Sequence, residues 1–213
     1  MRANKNINSP YTAAFSGGGF MFVETETLLP LLQSADSEAL LKDEIQFNRL
    51  LHLNKESSRS RIVSEIKRRY KAMPESFWKE YQLMDEEDRK AALLYVILKT
   101  YKIIFDFHIN VTMPKWNSIA RKVELADLMI ELNDISAKDE FVDSWSEATK
   151  KKLVSAYLTM LKRSGMSDDN GNLSPLKISN PEFYLKGEGE PWFLEATLMP
   201  AYQIEELKQQ FAL

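Results

Sequence analysis

The chain has 213 residues, 44% of them hydrophobic, with a formal net charge of −3 and no cysteine. The missing cysteines exclude disulfides, thiol catalysis and Cys-based zinc or iron–sulfur sites. No overall basic excess advertises nucleic acid, so a polyanion would have to be held by local patches.

Helical periodicity dominates the chain in order. The opening "MRANKNINSPYTAAF" carries no apolar signal core and no cleavage pattern, which reads as a cytoplasmic protein. Gly17-Gly18-Gly19 precedes an amphipathic stretch, 20–34, that Pro30 kinks or ends. Ser34 to Ser37 supplies caps for a helix over 37–53, with Leu40, Leu41, Ile45, Leu50 and Leu51 facing a core. "NKESS", 54–58, is a turn, and a third helix follows over 58–71. Pro74 opens a short helix. The acids of "DEEDR", 85–89, sit at the start of a long core helix, where the helix dipole favours them. Its apolar run, Ala91 to Leu98, is too short to span a bilayer, which takes about 20 residues. "HINVTMP" reads as extended, and a helix over 115–133 follows.

After a connection at 133–140 the pattern restarts. A short helix covers 138–144, and Ser144 with Glu147 has the capping-box spacing that opens a helix to Arg163. The turn-rich stretch after it holds a hairpin signal at Asn170-Gly171. The tail is short and helical. The expected fold class is mainly α: a compact helical protein with helix-turn-helix-like and winged-helix-like elements and one short β-hairpin in the C-terminal part. Two domains are expected, 1–135 and 136–213.

Little here points to catalysis. The triple glycine lacks the Lys-Ser/Thr of a phosphate-binding loop and is not a dinucleotide fingerprint, so a turn entering a helix is the simpler reading. A minority reading lets its N–H groups hold a phosphate. His52 and His108 are far apart in apolar surroundings, and the carboxylates sit at helix starts. No serine stands in a nucleophile elbow. The expectation is no catalytic residue, no metal site, no cofactor and no small-molecule substrate.

The strongest signal is electrostatic. Residues 55–71, "KESSRSRIVSEIKRRYK", hold seven Lys or Arg against two Glu. At helical spacing Ile62, Val63, Ile66 and Tyr70 share one side, while Arg61, Ser64, Arg68 and Lys71 fall opposite, with Lys67 beside them. A helix, a turn and a basic helix make a helix-turn-helix candidate. In the second half, Leu153, Val154, Tyr157, Leu158 and Leu161 form an apolar stripe that leaves Lys151, Lys152, Lys162 and Arg163 outside. Helix, helix, hairpin is the order of a winged helix, with Lys177 on the wing. The candidate DNA-binding residues are Arg59, Arg61, Ser64, Lys67, Arg68, Lys71, Lys151, Lys152 and Lys162. The competing reading is that these are solvated surface. A further alternative is a protein-interaction adaptor docking through Phe183, Tyr184, Trp192 and Phe193; RNA binding would use the same basic faces.

"YTAAFSGGGFMFVET", residues 11–25, resembles the N-terminal signature of the BrxA family of bacterial BREX phage-exclusion systems, in Tyr11, Phe15, Ser16, the three glycines and Glu24. The run 48–70 and the helix ending in "LKRSGM" are similar as well. The resemblance implies a small, cytoplasmic, mostly helical protein that binds double-stranded DNA, performs no catalysis, and works beside other BREX proteins. Family members have also been labelled inner-membrane; the hydropathy argues for no membrane association. No residue-level contact motif follows from the resemblance, so the candidate residues rest on helix phase.

Overall fold

The computed structural model describes residues 8–211. It is a helical assembly, with strand-like pairing among the described residues limited to two isolated bridges, Lys122 with Asn172 and Ser167 with Leu173. A 3-10 turn, Ala14–Gly17, comes first. Next are α1 (Phe22–Leu32), α2 (Ser37–Phe47), α3 (Glu56–Lys71), α4 (Glu75–Tyr81) and α5 (Glu86–Thr100). The middle of the chain forms α6 (Lys102–Phe107), a π-helical turn (His108–Thr112), α7 (Met113–Trp116) and α8 (Leu125–Ser136). The rest is α9 (Glu140–Asp143), α10 (Glu147–Arg163), α11 (Glu182–Leu185), α12 (Trp192–Ala196) and α13 (Ala201–Gln210).

Helix α5 is the axis of the fold. Asp85 caps it, accepting the Asp88 N–H at 2.8 Å. Every residue from Ala91 to Leu98 is buried, so the helix is apolar all round because protein surrounds it. Among the described residues no helix is long and apolar enough to cross a membrane. The main core runs from Phe15 through α5, α6, α8 and α10 to Phe193 and Ile204, drawing on both sides of residue 135. A smaller core joins α1, α2 and α3 through Met21, Leu28, Leu32, Leu41, Ile62, Val63 and Ile66. The two cores adjoin at α1, whose Leu29 belongs to the main core while Leu28 and Leu32 belong to the smaller one.

Several local expectations change in the structure, and the helix expected over 115–133 is split into α7 and α8. Helix α2 stops at Phe47 rather than 53, with Asn48 left-handed at its end (φ 54°). The buried Glu44 carboxylate accepts the N–H groups of Arg49, Leu50 and Leu51 at 3.0, 3.0 and 2.8 Å, trading helix bonds for a shaped loop. The connection to α3 is then residues 48–55, longer than the turn of about three or four residues in a helix-turn-helix. "HINVTMP" is not extended: His108–Thr112 is a π-helical turn leading into α7. Its β-branched residues favour strand locally, but the tertiary bonds of His108 and Thr112 decide the outcome. Finally, α10 is capped by Ser146, which accepts the Thr149 N–H at 3.2 Å, two residues after the serine that the spacing predicts.

The hairpin signal is realised as a tight turn. Asp168 accepts the Asn170 and Asn172 N–H groups at 2.8 and 2.9 Å, and Gly171 takes φ 82°. This turn folds against residues 121–123 through Val123 N–H to Gly171 O and Leu173 N–H to Arg121 O. A Cβ on Gly171 would lie 2.7 Å from the Val123 carbonyl oxygen. Gly171→Ala is expected to lower stability by about 2 kcal/mol, measured by urea unfolding, because strain and a backbone clash coincide. A loss below about 0.5 kcal/mol would mean that the turn tolerates another shape.

Candidate nucleic-acid interface

Helix α3 packs Ile62, Val63 and Ile66 inward and leaves Arg61, Ser64, Arg68 and Lys71 exposed. Arg59 does not join them. It is buried, and its guanidinium donates to the carbonyls of Ile45 at 2.7 Å and Leu53 at 2.6 Å. Arg59 closes the 48–55 loop onto α2 and cannot also meet a phosphate, which corrects its place among the candidate contacts. The other candidates differ in how committed they are. Lys67 is paired with Glu38 at 2.6 Å, and Arg68 approaches Glu65 at 3.5 Å. Lys162 is paired with Asp169. The Ser64 hydroxyl donates to the Ser60 carbonyl of its own helix. Arg61, Lys71, Lys151 and Lys152 form no ion pair among the described residues.

The two basic helices meet at the glycine turn. The 3-10 turn packs against both α10 and α3. The Arg61 side chain lies over Gly17, so closely that a Cβ there would come within 3.1 Å of Arg61 Cδ. On the other side, Ser16 to Phe20 line a groove of about 300 Å³ with Lys152, Thr159 and Arg163 of α10. The turn's amides are not free donors: Gly18 and Gly19 N–H both donate to the Phe15 carbonyl, at 3.2 and 2.9 Å. Glycine here makes room for neighbouring side chains, Arg61 at Gly17 and Met21 at Gly18, and leaves open space at Gly19.

A residue that helix phase did not single out holds this turn. Arg69 is completely buried. It donates to Phe20 O at 2.8 Å and to Gly19 O at 2.6 Å, and its Nε donates to the Tyr101 hydroxyl at 3.1 Å. Tyr101 in turn donates to the Glu65 carboxylate at 2.8 Å. The guanidinium also lies over the Phe15 and Tyr101 rings, at 5.7 and 5.4 Å. Burial pushes the Tyr101 phenol up to about 12, so it remains a donor. One α3 arginine thus ties the Gly19 and Phe20 carbonyls to Tyr101 and, through it, to a carboxylate of its own helix.

Other expected site features are drawn into the interior. Phe183, Tyr184 and Phe193 are buried, with ring centroids of Phe77–Phe183, Tyr95–Tyr184 and Tyr95–Phe193 between 5.2 and 5.9 Å apart. Trp192 packs on Phe105 and Tyr95. Phe183, Tyr184 and Phe193 build the core, and Trp192 is half-buried at its edge. After the 168–171 turn the chain returns to the body, with the Leu176 N–H donating to Thr197 O. His108 is also internal. Its Nε2–H donates to Ala196 O at 2.7 Å, and its Nδ1 accepts from Tyr157 at 3.0 Å.

A helical protein with two basic helix faces joined at a rigid glycine turn is thus the class that fold and site define. A family model for BrxA matches residues 9–183, and the chain belongs to the BrxA family. It is similar to a protein named BREX protein BrxA from Bacillus cereus (strain H3081.97), with 26% identity over 163 residues, covering 76% of this chain and 82% of that one. The fold is similar to the crystal structure of an uncharacterized protein from Magnetospirillum magneticum. The TM-score is 0.73 at 18% identity, covering 89% of this chain and 98% of that chain.

Proposed function

We propose that this BrxA-family chain serves a BREX phage-defence system as a double-stranded-DNA-binding component that catalyses no reaction and needs no cofactor. The observation that carries the reading is the meeting of unpaired cations from α3 and α10 at one place, Arg61 over Gly17 and Lys152 in the adjoining groove. An acidic chain that gathers cations which its own carboxylates leave unpaired has a surface suited to an external polyanion. Exposed Arg68 and Lys71 extend this surface along α3, and Lys151 extends it along α10. Phosphate contacts supply affinity without sequence choice, so weak specificity and steep salt dependence are expected. Against catalysis stands the interior position of His108, whose two nitrogens are both engaged.

The test is a fluorescence-anisotropy titration of a generic duplex of about 25 base pairs at two salt concentrations, with structured RNA as competitor. Arg61→Ala/Arg68→Ala is expected to weaken binding and to flatten the salt slope by about 0.9 for each phosphate lost. Unchanged affinity in the double variant would sink the α3 assignment. Preferential displacement by RNA would transfer the same faces to an RNA ligand.

A further inference from the structure

We propose that the groove floored by Gly17–Gly19 is a seat for the phosphate backbone of a duplex, with Arg163 a direct contact beside Lys152. This rests on the DNA-binding reading above and assigns it a specific position. Arg163 ends α10, outside the cations that the spacing of the basic faces selects, yet it lines the same groove as Lys152 and the glycine turn. Neither Arg163, Lys152 nor Arg61 forms an ion pair among the described residues. Two unpaired cations of α10 line this groove, with Arg61 across the turn, and an anion in the groove offsets their like charge.

The floor suits a phosphate for a steric reason. Gly19 has open space where a side chain would stand, so an anion can approach the backbone there, whereas Met21 fills that space at Gly18. Gly17 also leaves the space in which the Arg61 side chain lies. Because Gly18 and Gly19 N–H are spent on Phe15, the donors are Lys152 and Arg163, with the hydroxyls of Ser16 and Ser155 lining the same groove. Phe20, the groove's aromatic residue, is only 2% exposed and belongs to the core. Nothing there offers a face on which a base can stack, so the seat reads charge rather than sequence. Arg69 holds the Gly19 and Phe20 carbonyls from inside, which keeps the floor rigid before any ligand arrives.

The experiment compares wild type, Lys152→Gln/Arg163→Gln, and Lys138→Gln/Lys186→Gln, which removes the same charge from exposed positions outside the candidate contacts. All are titrated with one duplex across a salt series. The groove pair is expected to lose about tenfold in affinity at low salt and to make the slope of log K against log salt shallower by about 0.9, one phosphate's worth. A parallel titration of the ¹⁵N-labelled wild type with a short duplex should shift the amides of Gly17, Gly18, Gly19, Lys152 and Arg163. If the groove pair behaves like the control pair and the glycine amides stay still while wild type binds, the seat is overturned and DNA binding through the outer face of α3 stands. If wild type shows no salt-dependent binding, the proposed function falls along with the seat.

Discussion

Arg69→Ala is expected to destabilise the protein by about 3 to 5 kcal/mol, a large part of the roughly 5–15 kcal/mol by which a domain is stable. The substitution removes donors to two carbonyls and to Tyr101, and it strips a positive charge from the neighbourhood of the buried Glu65. What remains is a carboxylate with the tyrosine hydrogen bond and the half-exposed Arg68 at 3.5 Å, together with two carbonyls facing an empty space. Leaving buried polar groups without partners costs more than the bonds themselves contribute. Urea unfolding with a double-mutant cycle checks this. Glu65→Gln in the Arg69→Ala background should cost less than Glu65→Gln alone, because the charge it removes has already lost its partner. Additive losses in the cycle would show that Arg69 and Glu65 are not coupled through Tyr101. The same variant should also loosen the glycine turn, since Gly19 and Phe20 would lose the group that fixes their carbonyls.

Acidification below pH 6.5 is expected to destabilise wild type through His108, and replacing that residue should remove this component. Burial lowers the His108 pKa from 6.5 to about 4, opposed only by its bond to Ala196. The folded state therefore holds a neutral ring over a range where the unfolded chain takes up a proton. Its contribution is complete above pH 6.5 and is lost as pH falls from there toward 4. At pH 5 the loss is about 2 kcal/mol, out of roughly 3 kcal/mol for the full shift. The geometry agrees with the sign. A carbonyl on Nε2 requires that nitrogen to carry the proton, and the Thr112–Tyr157 hydroxyl pair offers Nδ1 a donor. A second proton on the ring would face the Tyr157 donor. His108→Gln should be less stable at pH 7.5 yet show a flatter stability curve between pH 7 and 5 than wild type. Parallel curves would mean that another group carries the acid sensitivity in this window.

Much of the architecture was legible in the residues. The mainly helical class followed from period. The inward stripe of α3 and the outer Arg61, Ser64, Arg68 and Lys71 followed from phase, because an amphipathic helix sorts its sides before it meets a neighbour. The α5 run from Ala91 to Leu98 read as buried, and it is. The resemblance carried by residues 11–25 pointed to the family that the match over 9–183 shows. Arg59 and Arg69 were misjudged or passed over although a signal existed. Arg59, Ile62, Ile66 and Arg69 are spaced three, four and three apart, so both arginines ride the apolar stripe. Counting charge along the chain hid that register.

What the sequence determined by itself, then, was set by neighbours within a turn or two: helix class, apolar and basic faces, the acidic start of the long core helix and a turn at Asn170-Gly171. Only the tertiary structure decided where α2 ends, because Glu44 and Arg59 satisfy the 48–55 backbone from a distance. It alone decided that the 108–112 segment winds as a π turn, through bonds to Tyr157 and Ala196 far along the chain. It also brought Arg61 of α3 and Arg163 of α10 to the same glycine floor. Residues about a hundred positions apart in sequence have no local period to betray their meeting; that is settled by how the 3-10 turn packs between the two helices.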